Sequence, residues 1–251
     1  MICIVISRED IASKNIAKFL LSMEKWKEKN NVYISEGKFL YFINDTHIYH
    51  NNVDKEIEAL GYEIDTIIFA SRHASAAKKK TLTVHAIGNY GKAEYGGRDR
   101  TLVLCNPLLM RSALELLAEK NIEGYEVCYE ATHHGPYLEK PCFFIEVGST
   151  QEEWNDKKAC KAIAEAILQL ERKEYEVAIG IGGGHYAPRF TEIALEKNIA
   201  FGHISARYAI QHLDAEILEK MVASTPHCKK AYFHGNYPDV KEILEKIGIS
   251  L

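Results

Sequence analysis

Histidines that follow apolar runs are the residues of this chain best suited to chemistry. The chain has 11 histidines, and two of them, His133 and His134, stand side by side in Ala131-Thr-His-His-Gly-Pro136. Ligand sites in open α/β sheets form beyond the carboxyl ends of strands, which is where this segment is expected to lie. Gly135-Pro136 then fixes the backbone, so that one imidazole can bind a metal or a substrate while the other is structural. A pair of polar loop residues without a chemical role is the alternative.

A carboxylate interrupts the apolar run Cys142-Phe-Phe-Ile-Glu-Val-Gly148. Alternation along a strand places Glu146 on the same face as Phe144 and Cys142, so its side chain is expected to be buried. A buried carboxylate needs a metal ion or a cationic side chain as its partner, or else its pKa rises. The pattern therefore predicts a metal ligand or a general base at Glu146, and a structural salt bridge is the alternative.

A glycine-rich turn follows the strand predicted at residues 175–181 and reads Gly180-Ile-Gly-Gly-Gly-His-Tyr-Ala-Pro-Arg189. It departs from the dinucleotide fingerprint GxGxxG, because His185 takes the position of the last glycine. The backbone amides of Gly183 and Gly184 precede a predicted helix and could hold an oxyanion, a phosphate or a carboxylate. We therefore predict a functional His185, with a tight strand-to-helix turn as the alternative.

Two further segments combine histidine with cationic residues. His203 ends a predicted strand and Arg207 follows it, which is suited to an anionic substrate or, alternatively, is a capped strand end with a surface arginine. His73 and His85 could face one cleft from neighbouring segments, with three lysines at 78–80 between them. A lysine run is more often a solvated face, but the histidines beside this one favour contact with phosphate.

Composition limits the class of protein to which the chain can belong. It has 251 residues, of which 47% are apolar and 26% charged, and its formal net charge is −4. These values exclude a disordered chain and exclude nucleic-acid binding through bulk positive charge, but they allow a local basic patch. No apolar run is long enough to span a membrane, and the N-terminus does not resemble a signal peptide. The six cysteines are too far apart for CxxC motifs, so we expect buried free thiols in the reducing cytoplasm.

Strands and helices must position these residues. The predicted strands lie at 2–6, 32–35, 38–43, 64–69, 81–87, 102–105, 125–131, 142–147, 175–181, 200–204 and 229–233. The predicted helices lie at 8–23 with Ser7 as N-cap, and at 54–60, 107–119, 153–172, 188–197, 213–223 and 238–247. Strands and helices alternate from residue 100 onward, which predicts a three-layer α/β/α fold with a mixed, mostly parallel sheet.

The first hundred residues are less regular, although we expect one α/β domain over residues 1–251. The runs 32–35 and 38–43 flank Glu36-Gly37, which predicts a hairpin in a flanking lobe at 32–60. Residues 88–101 contain four glycines and charges of both signs, so they bury little apolar surface and are expected to form a functional or mobile loop.

Several blocks of the sequence resemble the archaeal and plant type of D-aminoacyl-tRNA deacylase, and together they span nearly the whole chain. The blocks are Ala131–Cys142, Phe144–Thr150 with Trp154, Gly180–Phe190, Ser71–His73, Thr83–His85, Gly202–Ile204 and Phe233–Gly235. The resemblance implies hydrolysis of the ester between a D-amino acid and the 3′ end of tRNA, and a requirement for zinc. It also implies a phosphorylase/hydrolase-like α/β/α fold, related to peptidyl-tRNA hydrolases and nucleoside phosphorylases.

The implied zinc requirement gives the candidate metal ligands their role. We infer that His133, Glu146 and His185 bind one or two zinc ions, since all three lie at strand ends or in glycine-bounded turns. Zinc with three protein ligands keeps an open coordination position and lowers the pKa of its bound water to about 7. Water activated in this way is then the expected nucleophile for the ester.

The other candidates receive catalytic or substrate-binding roles under the same hypothesis. His134 or His85 acts as the base or orients a metal ligand, and the amides of Gly183 and Gly184 stabilise the oxyanion. The predicted substrate contacts are His73, Lys78, Lys79, Arg98, Arg189, His203 and Arg207. The lysines, with Arg98 and Arg207, are expected to bind phosphates of the tRNA acceptor end.

Other classes of function use the same residues. A zinc amidase or peptidase on the same fold would cleave small amides and ignore competing tRNA. A non-catalytic tRNA-binding module would need exposed aromatic and basic residues, and would bind tRNA with a steep salt dependence without releasing an amino acid. A nucleoside phosphorylase is a third alternative, and its turnover would depend on phosphate. The sequence predicts no obligate protein partner.

Overall fold

The computed structural model describes residues 1–29 and 32–251, in which strands and helices alternate over most of the chain. The strands are β1 (Ile2–Ser7), β2 (Lys27–Lys29), β3 (Val32–Ser35), β4 (Lys38–Ile43), β5 (Thr66–Ala74), β6 (Thr81–His85), β7 (Gly88–Asn89), β8 (Thr101–Leu102), β9 (Glu126–Tyr129), β10 (Cys142–Ser149), β11 (Glu176–Gly182), β12 (Ile199–Ser205) and β13 (Cys228–His234). The helices are α1 (Ile11–Met23), α2 (Val53–Ala59), α3 (Pro107–Lys120), α4 (Gln151–Trp154), α5 (Lys157–Leu168), α6 (Pro188–Lys197), α7 (Ala215–Ala223) and α8 (Pro238–Lys246), with 3-10 helices at His47–Tyr49 and Arg207–His212. Within the described ranges, no helix has the length and apolar character needed to cross a membrane.

The strands form two main sheets and one short pair. The larger sheet has eight strands in the order β2-β3-β4-β1-β5-β10-β6-β9, and β1, β5 and β10 at its centre run parallel. The second sheet, in the order β12-β11-β13, is fully parallel, and β7 pairs with β8. The predicted mixed, mostly parallel arrangement is therefore confirmed, but the alternating elements after residue 100 divide between two sheets.

Helices cover both faces of the larger sheet, which confirms the three-layer α/β/α fold. Along β1, Ile4 and Ile6 belong to a core shared with α1, α3 and α5, whereas Cys3 and Val5 belong to the opposite core with α2. Both faces of β1 are buried, and this is why its sequence is continuously apolar and does not alternate with polar residues. A third apolar core packs α7 and α8 against the second sheet.

The hairpin predicted at 32–35 and 38–43 is confirmed, and it lies in the larger sheet between the edge strand β2 and the central strand β1. β3 and β4 are antiparallel neighbours in register over the whole length of β3. Gly37 in the turn has a φ of +70°, a left-handed conformation that glycine adopts without steric cost. Because β4 then pairs in parallel with β1, the hairpin extends the central strands of the fold.

Two helix boundaries differ from prediction because another side chain caps the helix. α1 begins after Asp10, whose carboxylate accepts a hydrogen bond from the first helical turn, while the predicted N-cap Ser7 still belongs to β1. The single helix predicted at 153–172 is two helices, because Asp156 caps a new one by accepting backbone hydrogen bonds. The start predicted at Asn106-Pro107 is confirmed, with Asn106 as the cap.

The order of the central strands brings together residues that are far apart in the sequence. β10 lies between β5 and β6, and its Glu146 is in register with Ser71 on one side and Thr83 on the other. His73 and His85 lie two residues beyond Ser71 and Thr83, and residues two apart on a strand share a face. His73 and His85 therefore flank Glu146 on the same face of the sheet.

Candidate active site

Five histidines and two glutamates meet at the floor of a cleft of about 1000 Å³. This histidine–glutamate cluster consists of His73, His85, Glu130, His133, His134, Glu146 and His185. Its members come from β5, β6, β10, the segment after β9 and the turn after β11, so five separate stretches of chain contribute. The structure thus brings together six of the residues that the sequence analysis singled out, and adds one that it missed.

Glu130 contacts more of the cluster than any predicted carboxylate does. Its side chain is fully buried, with Oε1 3.2 Å from Nδ1 of His73 and Oε2 3.0 Å from Nε2 of His185. Oε2 also lies 3.7 Å from Nε2 of His133. A signal for Glu130 is present in the sequence, since this acid stands directly after the apolar end of β9, just as Glu146 interrupts the apolar β10.

Glu146 contacts the histidines on the other side of the cluster. Its Oε2 atom lies 3.7 Å from Nδ1 of His73 and 3.5 Å from Nε2 of His85, and its side chain is only 3% exposed. The expected burial of this carboxylate is therefore confirmed. Because an isolated buried charge is very costly, the two carboxylates and the histidines between them form one electrostatic unit.

The carboxylates determine the charge of His73. Burial alone would lower the pKa of His73, but its contacts with Glu130 and Glu146 raise it to about 11. Burial alone would raise the pKa of Glu146, but His73 and His85 lower it to about 2. Without a metal ion, His73 is therefore a cation between two carboxylate anions at neutral pH.

His133 and His134 are neutral in the same surroundings. Burial and the neighbouring imidazoles lower the pKa of His133 well below its ordinary value and that of His134 to about 4. Nδ1 of His133 donates a hydrogen bond to the Ala131 carbonyl oxygen (2.8 Å), and Nδ1 of His134 donates to that of Gly135 (2.6 Å). A carbonyl oxygen only accepts, so each Nε2 keeps a lone pair for a proton or a metal ion.

The donor atoms of the cluster fit a metal ion such as zinc. Three sets of three side chains could each hold a metal ion, because the ligand atoms within each set lie within 4.8 Å of one another. The sets are His85, His133 and His134; His73, Glu130 and His185; and His85, Glu130 and Glu146. Within the described part of the chain, Nε2 of His85 and Oε1 of Glu130 are buried and make no well-aligned hydrogen bond, although each faces a charged partner, at 3.5 Å and 3.2 Å. Imidazole nitrogens and carboxylate oxygens are ligands that zinc accepts, so both atoms have the chemistry needed for coordination.

The predicted metal ligands are divided among these three sets. His133, Glu146 and His185 all belong to the cluster, but each belongs to a different set. Glu130, which the sequence analysis did not consider, belongs to two sets. A metal position built from these residues therefore needs Glu130 or His85 in addition to the predicted ligands.

His203 lies in the protein interior and not in the cleft. It is fully buried, with Nδ1 3.0 Å from Oγ1 of Thr132 and Nε2 3.0 Å from the carbonyl oxygen of Val103. Both ring nitrogens are thus engaged inside the protein, and neither is available for the substrate contact that we expected. Since Thr132 directly precedes His133, His203 instead helps to position the histidine pair.

The glycine turn before His185 is tied to the 3-10 helix at Arg207–His212. The backbone amide of Arg207 donates a hydrogen bond to the carbonyl oxygen of Gly183 (2.9 Å). Of the described residues that line the cleft, none is Gly183, Gly184 or Arg207. This arrangement holds His185 in place, and the oxyanion and phosphate contacts of these three residues stay predictions.

The other predicted cationic contacts lie on the surface outside the cleft lining. The Nζ atom of Lys79 lies 5.8 Å from the ring centre of Tyr186, whose hydroxyl contacts His73. Lys78, Arg98 and Arg189 are also exposed. Two cationic residues that we did not predict, Arg72 and Lys92, line the cleft itself.

The loop at 88–101 forms a wall of the cleft. Seven of its residues, between 88 and 95, line the cleft. Tight backbone contacts hold the loop, since a Cβ atom on Gly135 would lie 2.2 Å from the amide nitrogen of Gly97 and 2.4 Å from the carbonyl oxygen of Ile48. The loop therefore belongs to the site, next to the histidine pair.

Two tyrosines hydrogen-bond histidines of the cluster, and the sequence analysis missed both, although Tyr208 lines the cleft. The hydroxyl of Tyr186 lies 2.9 Å from Nε2 of His73, and the hydroxyl of Tyr208 lies 3.2 Å from Nδ1 of His185. Each stands next to a predicted residue, His185 or Arg207, and this adjacency is the only signal for them in the sequence.

Comparison with known proteins gives consistent matches. A family model described as D-aminoacyl-tRNA deacylase matches residues 60–251, a range that includes the whole cluster. A D-aminoacyl-tRNA deacylase of Pyrococcus furiosus is 40% identical over 260 residues, which cover 99% of this chain and 96% of the relative. One of Pyrococcus horikoshii is 44% identical over 220 residues, covering 82% and 80%. A crystal structure described as a conserved protein of unknown function matches with a TM-score of 0.93 and 35% identity, over 100% of this chain and 94% of that one.

Replacing Gly135 by alanine is expected to displace the loop that forms the cleft wall. Its Cβ would lie 2.2 Å from the backbone of Gly97, and rotation of a side chain does not relieve such a clash. We expect the free energy of unfolding to fall by about 1–3 kcal/mol in chemical denaturation. Gly184→Ala is the control, because its Cβ would come no closer than 3.4 Å to another residue. Equal losses in the two variants would contradict the tight contact.

His203 is expected to make the stability of the protein depend on pH. Burial lowers its pKa to about 4, whereas the unfolded chain has the ordinary value of 6.5. The unfolded state therefore binds the proton first as the pH falls, and about 3 kcal/mol of stability is lost between about pH 6.5 and pH 4. His203→Asn should have a lower free energy of unfolding than the wild type at pH 7.5. This difference, measured by denaturant titration, should be smaller at pH 4.5. A constant deficit would show that His203 is not the titrating group.

Proposed function

We propose, for a chain that belongs to the D-aminoacyl-tRNA deacylase family, that it hydrolyses the ester bond between a D-amino acid and the 3′ end of tRNA. The observation that carries the proposal is the convergence of five histidines and two buried glutamates at the floor of the cleft. Relatives named for this activity match nearly the full length of the chain. The reaction releases the free D-amino acid and returns the mischarged tRNA for correct charging.

His134 is the residue that we assign as the general base. An aminoacyl ester is already activated, so its hydrolysis mainly needs a base for water and positive charge near the carbonyl oxygen. His134 lines the cleft, and its hydrogen bond to the Gly135 carbonyl oxygen leaves Nε2 free to accept a proton. His85 is fully buried and stacks on Phe144 with ring centres 5.2 Å apart, so we assign it to positioning Glu146.

Zinc is the cofactor that we propose, and His73, Glu130 and His185 are the ligands that we favour. This set combines two imidazoles with the fully buried carboxylate of Glu130, and it leaves His134 free. When bound, Zn²⁺ supplies a Lewis acid that can polarise a carbonyl group and acidify water. Tyr186 and Tyr208 hydrogen-bond the outer nitrogens of His73 and His185 and so hold both rings in orientation.

Cationic side chains near the cleft are suited to the tRNA acceptor end. Arg72 and Lys92 line the cleft, and Lys79 lies close to Tyr186 beside the cluster. Phosphate contacts from lysine and arginine position nucleic acid without reading its sequence. Because the chain as a whole has a formal net charge of −4, attraction for phosphate must come from a local group of cationic side chains such as this one.

Glu130→Gln is expected to reduce deacylation of D-tyrosyl-tRNA by about 100-fold, because it removes the charge of a proposed zinc ligand that also contacts His73 and His185. The measurement is the release of free D-tyrosine, with L-tyrosyl-tRNA as the second substrate. Glu126→Gln is the matched control four residues earlier, on β9, where the side chain is 45% exposed and, among the described residues, forms an ion pair with Lys79. Near-normal turnover by Glu130→Gln would reject the assigned centre, and tRNA binding without turnover by the wild type would favour the binding-module alternative.

The purified protein is expected to contain about one zinc ion per chain, measured by elemental analysis. Dialysis against a chelator should remove the zinc, lower the melting temperature and abolish deacylation, and added zinc should restore all three. His185→Ala should bind less zinc, whereas His212→Ala, which changes a cleft histidine outside the cluster, should not. A zinc-free protein with the same melting temperature and turnover would overturn the cofactor, and two ions per chain would contradict His134 as the free base.

A further inference from the structure

Among the residues that the structure describes, the exposed large aromatic side chains lie in the cleft lining or directly beside it. Within the described ranges, six large hydrophobic side chains are exposed, and three of these are tyrosines: Tyr49 (55%), Tyr95 (64%) and Tyr208 (56%). Tyr95 and Tyr208 line the cleft, and Tyr49 follows the lining residue Ile48. The other three are leucines, and none of them is a lining residue. Apolar surface concentrated in this way marks a binding site for a planar or apolar ligand.

Tyr208 connects this surface to the histidine–glutamate cluster. Its hydroxyl lies 3.2 Å from Nδ1 of His185, while more than half of the side chain is exposed. The hydroxyl therefore fixes the position of a ring whose face is not covered by the core. A flat group that lies on Tyr208 is next to the residues that we assign to the ester.

Tyr49 and Tyr95 form a second aromatic surface, on two segments that are held together. A Cβ atom on Gly96 would lie 1.8 Å from the carbonyl oxygen of Ile48 and 3.2 Å from the ring of Tyr49, so the loop is in close contact with the 3-10 helix at His47–Tyr49. The Tyr95 carbonyl oxygen also accepts a hydrogen bond from the amide of Gly135 (3.0 Å). These contacts fix the backbone of Tyr95 beside Tyr49.

We propose that these tyrosines stack the unpaired bases at the 3′ end of tRNA, with the terminal adenine on Tyr208 and the preceding base on Tyr49 and Tyr95. The proposal rests on the proposed function, because it takes the ester on the terminal ribose as the reacting group. Ester and adenine belong to the same nucleotide, so the adenine lies next to the cluster whenever the ester is bound there. Stacking on an aromatic side chain suits this role, since it holds a base through its flat face.

The test measures binding of a tRNA acceptor minihelix that ends in CCA, and of the same minihelix with the terminal adenine removed to leave the ribose. Removal of the adenine should weaken binding to the wild type by about tenfold or more. Tyr208→Leu should bind the intact minihelix as weakly as the wild type binds the adenine-free one, and should lose less than about twofold on removal of the adenine. Tyr208→Phe keeps the ring and loses only the hydroxyl, so its binding should still weaken by about fivefold or more on removal of the adenine.

Two further variants serve as controls. Tyr95→Leu should weaken binding of both minihelices by the same factor, because Tyr95 is assigned to the preceding base. Leu195→Ala shortens an exposed side chain on α6 outside the cleft lining and should bind both minihelices like the wild type. Circular dichroism confirms that each variant is folded.

Two results overturn the stacking site: adenine removal costs the wild type nothing, or it costs Tyr208→Leu as much as it costs the wild type. Release of D-tyrosine from D-tyrosyl-tRNA by the wild type tests the deacylase function separately. Adenine-dependent binding without release of D-tyrosine keeps the stacking site and rejects the deacylase. Release of D-tyrosine without adenine dependence rejects the stacking site alone.

Discussion

The burial of two carboxylates in one cluster is the constraint on which the site depends. The side chains of Glu130 and Glu146 are at most 3% exposed, and charges so removed from water are stable only beside opposite charge. His73 lies within 4 Å of both carboxylates and carries that charge as a proton when no metal ion is bound. The cluster thus pairs the imidazolium of His73 with two carboxylates, and the cleft reaches His73 and Glu146.

The fold meets this constraint where its two sheets join. The larger sheet contributes Glu146 with a histidine on each side, and the second sheet contributes His185 at the end of β11. The segment after β9 connects the two sheets. The Ala131 amide donates a hydrogen bond to the His185 carbonyl oxygen (2.8 Å), and the backbones of Glu130 and Tyr186 form an isolated antiparallel β-bridge. Glu130 therefore lies at the joint, and His203 supports the same segment from the second sheet through Thr132.

Charge and exposure change from the floor of the cleft to its entrance. The floor holds buried, paired charges, the neutral His134 also lines the cleft, and two tyrosines hydrogen-bond histidines of the cluster. The entrance carries the exposed faces of Tyr95 and Tyr208. Charged groups at the floor and aromatic faces at the entrance suit an aminoacylated nucleotide, since its ester needs charge and its base needs a flat apolar surface. The arrangement agrees with the family to which the chain belongs.

The sequence alone determined the features that depend on neighbours a few residues away. Continuous apolar runs identified the parallel strands, Asn106-Pro107 marked a helix start, and the histidine pair, Glu146 and His185 were recognised by their immediate surroundings. The tertiary structure decided which residues meet and what charge they carry. Glu130 contacts His185 across 55 residues of chain, and burial beside particular charges makes His73 a cation and His134 neutral. Local alternation could predict that Glu146 is buried, but the contacts that set these charges arise only when the sheets pack together, so no local pattern could reveal them.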